Sequence, residues 1–540
     1  MYMGGTPILI LKEGTQRERG KDAQIGDINA AKAIADAVKS TLGPKGMDKM
    51  LVDSIGNVVI TNDGVTILKE IDVEHPAAKM IVEVAETQDE ECGDGTTSAV
   101  ILAGELLKRA EDMIGKLHTS TITRGYLLAS QKAIEILTKQ MIKIDVEDDK
   151  NMMKIASTAM TGKTVASNKI QLQKIAVDSV RSIADKTKKQ YEVDLDNIKI
   201  VKKTGGKIED SSLINGMILE KEKAHPDMPR EIKKAKIALI DTEIKIKKTE
   251  AKASIGIKSP QQLQSFLDEE ERQIKKMVEF VVNSGANVLL SQKGIDDLAK
   301  HYLSKKGIYA IESIGKSDME KLAKTTGGNI VNDLKELGKD DLGKAGSIQD
   351  KMVSTERMTF IEDVAKGRAV TILLRGGTEH VIDEIERALE DALKVIAIAI
   401  EDGVVLPGGG AVDIELSHEV KKYAETLTGR EQIAAQAFAD ALTIIPRTLA
   451  ANAGMDSIDI LMKLNAAHGK KKGVNMGINL ETENIEDMFK AGVIEPFRVK
   501  KQAIQSATEA ANMILRIDDV IASKGFGSRG SGETFDEDDY

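Results

Sequence analysis

Residues 93–98 read Gly-Asp-Gly-Thr-Thr-Ser and lead into a run over 99–114 in which Val100, Ile101, Leu106, Leu107, Ala110 and Met113 recur at helical spacing. No other feature limits so sharply what the chain can build. Two glycines let a backbone approach a ligand closely, and three hydroxyl residues stand where a helix has to begin. The unsatisfied N–H groups and positive dipole end of such a helix suit a phosphate, worth ~0.3–1 kcal/mol per charge and up to ~2 kcal/mol when partly buried. Asp94 would repel a bare phosphate there, so it implies a bridging cation with oxygen ligands, Mg2+ above all. Taken alone, the motif fits a capped helix after a turn equally well.

Composition narrows the classes. At 540 residues the chain exceeds what one hydrophobic core supports, so two to four domains are expected. With Phe 8, Tyr 7 and Trp 0, the core has to rely on Ile, Leu, Val, Ala and 21 Met. A formal charge of −10 argues against nucleic acid as the main partner, because phosphate contacts need a basic surface. Scarce aromatics leave few platforms on which bases could stack. The single cysteine, Cys92, excludes an internal disulfide or a cysteine metal cluster, and reads as a small buried hydrophobe. Apolar runs such as 395–400 stop at six residues, far short of the ~18 that a membrane helix needs. The apolar stretch 7–11 is too short for a signal peptide and has no basic segment before it. A cytoplasmic protein with no membrane partner is expected.

The first third reads as mostly helical. Asn29 is expected to cap a helix bearing Ala31, Ile34, Ala35 and Val38, ended by Gly43-Pro44. A hairpin follows: a strand over 49–53, a turn over 54–57 and a strand over 58–61. Between roughly 215 and 367, short apolar segments such as 237–240 and 286–290 alternate with helical patterns, which predicts a compact α/β unit. Thr378 then caps a long helix with the stripe Ile382, Ile385, Leu389, Ala392, Ile396 and Ile400, stopped by Gly403. The last third is helical again. Its tail from Ser523 is Gly/Ser-rich, carries five acids over 533–540, and reads as a solvated terminus.

Three apparent signals fail on context. Residues 525–530 match GxGxxG, but no helix follows and no βαβ unit surrounds them. Thr161-Gly162-Lys163-Thr164 ends like a P-loop, yet Ser157 stands where that motif requires glycine. The seven histidines show no paired metal spacing, so zinc is not expected.

Four glycine- or acid-rich elements remain to be explained together: TLGPKG at 41–46, NDG at 62–64, GDGTTS at 93–98 and PGGGA at 407–411. With HPAAKM at 75–80, GREQ at 429–432, IPRTLAANAG at 445–454 and RIDDVI at 516–521, they resemble the chaperonins, and within them the group II type typified by the archaeal thermosome. The resemblance spans residues 5–524. It implies a multidomain α+β fold: a mostly helical, discontinuous equatorial domain (1–145 with 404–540), a small α/β intermediate domain (146–214 with 368–403), and an α/β apical domain (215–367) carrying a helical protrusion at about 243–275. It also implies an ATPase that uses Mg2+, takes unfolded or partly folded proteins as partners, and assembles identical or paralogous subunits into two stacked rings.

Residue roles follow from the same resemblance. Leu42 and Gly43 contact nucleotide, Asp94 binds Mg2+, and Gly95, Thr96, Thr97 and Ser98 hold phosphates. Gly409 lies against the nucleotide, with Asn479 and Glu495 near base and ribose. Gly162 and Lys163 form a γ-phosphate sensor, Asp391 orients the attacking water, and Asp63 and Asp53 support the metal and water network. By pattern alone Asp391 lies off the apolar stripe of its helix and reads as a solvated acid. The chain departs from the family in three places: Thr164 after Lys163, the 25–28 segment, and an acidic tail.

Residues 243–282 bear on the lid. Ser259-Pro260 reads as a cap followed by proline at the first helical position. An apolar patch (Leu263, Phe266, Leu267), a charged run (268–272) and a second stripe (Ile274, Met277, Val278, Val281) then suggest a helix projecting from its base. Local sequence fits an ordinary surface helix as well. The resemblance further suggests that segments 7–11 and 515–521 join the 49–61 hairpin of a neighbour. A ring-forming holdase that binds nucleotide without a folding cycle is the alternative function, and a small-molecule kinase lacks any acceptor motif.

Overall fold

The computed structural model describes residues 16–52, 54–162, 169–187, 191–246, 260–364, 369–470 and 473–522. Asp53, Lys163, Thr164, the 7–11 segment and the tail from Ser523 lie outside the described residues. The chain divides into two compact units, one of Met1–Ile142 with Leu406–Tyr540 and one of Lys143–Val405.

The first unit is a helical body built from both ends of the chain. Its middle is the helix Thr96–Glu111, buried almost all round: Ala99, Val100, Ile101, Leu102, Ala103, Leu106, Leu107 and Ala110 are each at most 3% exposed. A helix apolar on every side has to be enclosed. With few aromatics, enclosure comes from close approach of backbones. A Cβ on Gly104 would lie 2.4 Å from Ala35 Cβ, and one on Gly125 would lie 2.5 Å from Ala434 Cβ. These glycines seat the helices Lys21–Lys39 and Glu431–Leu442 tightly against the interior. The two large rings of this core meet edge to face, Tyr126 and Phe438 at 5.9 Å, and the Tyr126 hydroxyl donates to Leu106 O at 2.8 Å. Such a pair adds ~0.5–1.5 kcal/mol beyond the area it buries.

Two boundaries are corrected. The first helix begins at Lys21 rather than at Asn29, because Ala23, Asp27 and Ile28 extend its buried face backward by two turns. Segment 515–521 is not one strand: the helix Phe497–Leu515 continues along Ala507, Ala511 and Ile514, and the strand begins at Asp519. That strand, Asp519–Ala522, pairs antiparallel with Gln16–Arg19 of the same chain. The hairpin forms as expected, Lys49–Val52 against Val58–Thr61. Its Met50, Val52, Ile55 and Ile60 side chains are exposed.

The second unit carries a seven-stranded mixed sheet. The strand Glu231–Ile240 pairs in parallel with Val288–Ser291 and Ile330–Val331, and Tyr309–Ile311 extends the parallel side. On its other side the order continues antiparallel through Gly343–Val353, Glu356–Glu362 and Gly216–Leu219. Side chains alternate across a strand, so Ile237 and Leu239 enter one core while Ala238 and Ile240 enter the other. Both faces are covered, which accounts for the unbroken apolar run at 237–240.

The described part of the expected projecting helix runs Pro260–Ser284, and its expected cap Ser259 lies outside the described residues. Its stretch 264–269 is exposed, Phe266 and Leu267 included, whereas Ile274, Val278 and Val281 are buried. A smaller sheet, Ile198–Thr204, Val370–Gly376 and Ser212–Ile214, precedes the helix Glu379–Asp402. Thr378 caps that helix, Gly403 ends it in a left-handed conformation at φ 63°, and all six expected stripe residues are buried. Among the described residues, no helix is long and apolar enough to cross a membrane.

Gly104→Ala should lower the thermal midpoint by overpacking, at a cost of ~1–3 kcal/mol. Adding Ala35→Gly in the same chain should recover most of that loss, measured by thermal unfolding of both variants.

Candidate functional site

Two helices of the first unit start in the same unusual way. Thr96–Glu111 and Ala411–Thr426 have glycine N-caps, Gly95 at φ 80° and Gly410 at φ 73°, and neither has a side-chain cap. The first N–H groups of a helix have no acceptor within it, so an uncapped first turn presents donors and the positive dipole end to an anion. At the first of these turns stand Thr96, Thr97 and Ser98.

The neighbouring loops are pressed against these turns. A Cβ on Gly64 would lie 2.5 Å from Thr97 Oγ1 and 3.1 Å from Thr96 Oγ1, so the Asn62-Asp63-Gly64 turn rests directly on the hydroxyl run. Asp63 caps the helix Gly64–Glu70: its Oδ2 accepts from Thr66 N at 2.9 Å and from the Thr66 hydroxyl at 2.7 Å. Asp94, partly buried, accepts from the Gly95 N–H at 2.6 Å. Gly93 at φ 68° ends the preceding helix, Pro76–Cys92, so the acid is held between two left-handed glycines.

The other two loops bind to the C-terminal segment. Gly43 is at φ 82°, and a Cβ there would lie 2.4 Å from Leu449 Cδ2. Asn452 Nδ2 donates to Lys39 O and to Leu42 O, at 3.0 and 2.9 Å, which fixes the 41–46 turn from outside. Gly409 accepts from Ile478 N at 2.8 Å, and a Cβ on it would lie 2.7 Å from Ile478 O. Ile478 belongs to the hairpin Met476–Asn479 with Asn484–Asp487. Asn479 serves that hairpin: its Nδ2 donates to Glu486 Oε2 at 3.1 Å and its Oδ1 accepts from Glu481 N at 3.0 Å.

Beneath the phosphate-type turn lies a charge cluster that sequence reading missed. Lys500 Nζ meets Asp413 Oδ1 and Oδ2 at 3.3 and 3.1 Å and Glu495 Oε1 at 3.7 Å. Burial would depress the lysine, but Asp413 and Glu495 outweigh it and hold its ammonium above the usual range. Glu495 is pushed up to about 7, chiefly by burial; Asp413 and Asp94 add to the rise and Lys500 opposes it. Gln88, wholly buried, donates from Nε2 to Asp94 O at 2.8 Å and to Val499 O at 3.2 Å. The signal for all three was polarity on an apolar face. Gln88 continues the stripe Ile81, Val84, Ala85, Lys500 falls in register with Ala503, Ile504 and Ala507, and Asp413 stands in a buried first turn.

Thus Leu42, Gly43, Asp63, Asp94, Gly95, Thr96, Thr97, Ser98, Gly409, Asn479 and Glu495 all belong to the first unit. Gly162, at φ 93°, and Asp391, half-buried on the helix Glu379–Asp402, belong to the second. Asp53 and Lys163 lie outside the described residues. Among the described residues no three His, Cys, Asp or Glu side chains form a ready metal cage. Mg2+ does not require one, because it is commonly held by one or two carboxylates plus the phosphates of its nucleotide. Asp94 beside an uncapped helix start fits that donor set.

The sequence model of the TCP-1/cpn60 chaperonin family matches residues 34–525. The chain is 55% identical over 522 residues to a thermosome subunit beta of Archaeoglobus fulgidus, covering 96% of both chains. It is 54% identical over 532 residues to a thermosome subunit of Pyrococcus abyssi, covering 98% of this chain and 96% of that one. A thermosome subunit beta of Methanothermobacter thermautotrophicus is 54% identical over 533 residues, 98% of each. The chain belongs to the TCP-1/cpn60 chaperonin family. Within it the chain is of the group II type, an ATPase whose hydrolysis of ATP drives the folding of other proteins.

Because Glu495 titrates higher in the folded chain than its usual 4.5, it contributes stability below that value and loses it as pH rises through about 7. Glu495→Gln should therefore stabilise the nucleotide-free chain at pH 8, by on the order of 1–3 kcal/mol. The gain should shrink as pH falls towards 5, read as the difference in thermal midpoint across pH. An equal gain at both ends would contradict this account of the carboxyl.

Proposed function

We propose that the first unit holds ATP with Mg2+ across the two glycine-capped helix starts, and that residues of the second complete the hydrolytic site. The observation that supports this reading is the pair of uncapped first turns in one core, with the 62–64 turn resting on the hydroxyls of the first. Leu42, Gly43 and Gly409 would line the nucleotide, and Gly95, Thr96, Thr97 and Ser98 would take the phosphates. Asn479 and Glu495 would lie by base and ribose. Asp94 is the metal ligand in this reading, with Asp63 and Asp53 supporting metal and water. Mg2+ would supply charge neutralisation at the phosphate oxygens.

Hydrolysis needs a group to align water with the γ-phosphate. We assign that to Asp391, with Gly162 and Lys163 sensing the phosphate. A carboxylate on a separate body makes chemistry conditional on closure. The wider architecture follows: equatorial (1–145, 404–540), intermediate (146–214, 368–403) and apical (215–367) domains, and two stacked rings of identical or paralogous subunits in the cytoplasm enclosing unfolded proteins. The exposed apolar hairpin 49–61 would be covered by a ring neighbour, and the 16–19/519–522 strand pair is the candidate cover. The exposed start of Pro260–Ser284 would be the lid.

Asp391→Ala should leave ATP affinity nearly unchanged and slow single-turnover hydrolysis by ~10²–10⁴-fold. A rate within about threefold of the parent would make Asp391 an ordinary surface acid. Replacing residues 246–270 by a short Gly/Ser linker should spare assembly and ATP turnover but abolish protease protection of a captured chain; retained protection would refute the lid.

A further inference from the structure

Two acceptors face one buried imidazole. His468 ends the helix Ser457–His468, and its side chain is wholly buried. Its Nδ1 lies 2.9 Å from Glu415 Oε2 and its Nε2 lies 2.7 Å from Met476 O. C–H groups approach oxygen only to about 3.3–3.6 Å, so the ring does not fit turned over. A neutral imidazole has one N–H, whereas a carboxylate and a carbonyl can only accept. Both bonds therefore exist together only while the His468–Glu415 pair holds a second proton. The pair is then an imidazolium facing a carboxylate, or a neutral ring accepting from a carboxylic acid. The C-terminal end of a helix, where the ring sits, favours the first form.

The bridge closes a circuit around the 407–411 turn. Glu415 stands one turn into Ala411–Thr426, the helix that opens at Gly410. Met476 begins the strand Met476–Asn479, whose Ile478 N–H donates to Gly409 O. One ring thus ties the helix that leaves this turn to the strand bonded to it. The other titratable group against the ring is His418, also on Ala411–Thr426, with ring centroids 6.1 Å apart and its Nε2 held 2.9 Å from Asn465 Oδ1. Glu415 acts in addition on the exposed Lys422. Among the described residues, the hairpin and the helix Ile444–Asn452 bring no titratable side chain into a bond or ring contact with His468.

We propose that His468 is a positioning residue for nucleotide: bonded both ways in its proton-rich state, it holds the 407–411 turn in its binding form, so that affinity follows the proton on the His468–Glu415 pair. This rests on the reading of Gly409 as a wall of the nucleotide site. When pH rises and the pair gives up that proton, a lone pair of the ring faces oxygen on one side. Either the helix or the strand then lets go, and the turn between them loses one of its two braces.

The test is binding of Mg·ADP to the assembled protein by calorimetry, from about pH 5.5 to about pH 9, with the parent and Glu415→Gln side by side. A glutamine amide can donate to Nδ1 while Nε2–H donates to Met476 O, so a neutral ring makes both bonds without a second proton. Across this range the parent should lose roughly three- to tenfold in affinity relative to Glu415→Gln, the effect of one ordinary hydrogen bond. At the alkaline end Glu415→Gln should bind more tightly than the parent. Titration of the ligand, of His418 and of Glu495 enters both proteins alike. A merely structural strut predicts a constant ratio, or weaker binding by Glu415→Gln throughout, and either result overturns the proposal. Hydrogen exchange of the 476–487 hairpin in the nucleotide-free assembly, compared between the two proteins at each pH, separates clamp from site. An exchange ratio that moves with pH beside a constant affinity ratio keeps the clamp and overturns the placement of nucleotide at Gly409. Two constant ratios overturn the clamp itself. Should Glu415→Gln not assemble, Glu415→Ala decides: its neutral ring is free to donate to Met476 O, and it should lose the parental pH slope.

Discussion

The approach of Gly104 to Ala35 is the constraint on which the first unit depends. Helices packed through small residues come closer than side chains such as Leu or Phe permit, and a chain almost without aromatics has few other ways to reach interior density. That closeness draws Lys21–Lys39, Thr96–Glu111, Thr119–Lys139 and Glu431–Leu442 into one body. Loops hung on such helices inherit their precision. Gly64 on Thr97, Gly95 on Val499 and Gly409 on Ile478 are contacts of the same kind at the surface of the same core.

Electrostatics works within this frame. A lone buried lysine would be costly, and so would the buried Asp413; together they lower each other's cost, and removing either leaves an uncompensated charge. The pair joins the start of Ala411–Thr426 to the second turn of Phe497–Leu515, and Gln88 extends the link to the N-terminal segment by two carbonyls. Three segments far apart in sequence are thus held by one ion pair and one amide.

Much of this was legible. The hairpin 49–61 announced itself by its alternation and Gly56 turn, and the helix Glu379–Asp402 by Thr378 and Gly403. The glycine loops were legible because few other uses require such conformations at the head of an apolar stripe. The start of the first helix was not, since Gly26 and the buried Asp27 break the apolar rhythm that marks a helix. The end of Phe497–Leu515 was misread because Ile514, Leu515 and Ile517 look like strand residues, whereas packing along Ala507 and Ala511 keeps the helix going. Gln88, Asp413 and Lys500 were invisible for a related reason. A polar residue is read as surface until its partner, hundreds of positions away, is known. That residues 1–142 and 406–540 share a core has no local signature at all.

The strand pairing of Gln16–Arg19 with Asp519–Ala522 has a consequence for how the chain is made. A ribosome delivers the second unit, residues 143–405, complete before the first can close. At ordinary elongation rates the remaining 406–540 take roughly 10–30 s to emerge, and through that interval half a helical core stands open in the cell. The faces at Gly125 and Tyr126 wait for Ala434 and Phe438, not yet translated. A subunit whose work is to shelter unfinished proteins is therefore itself, late in its synthesis, a protein in need of shelter.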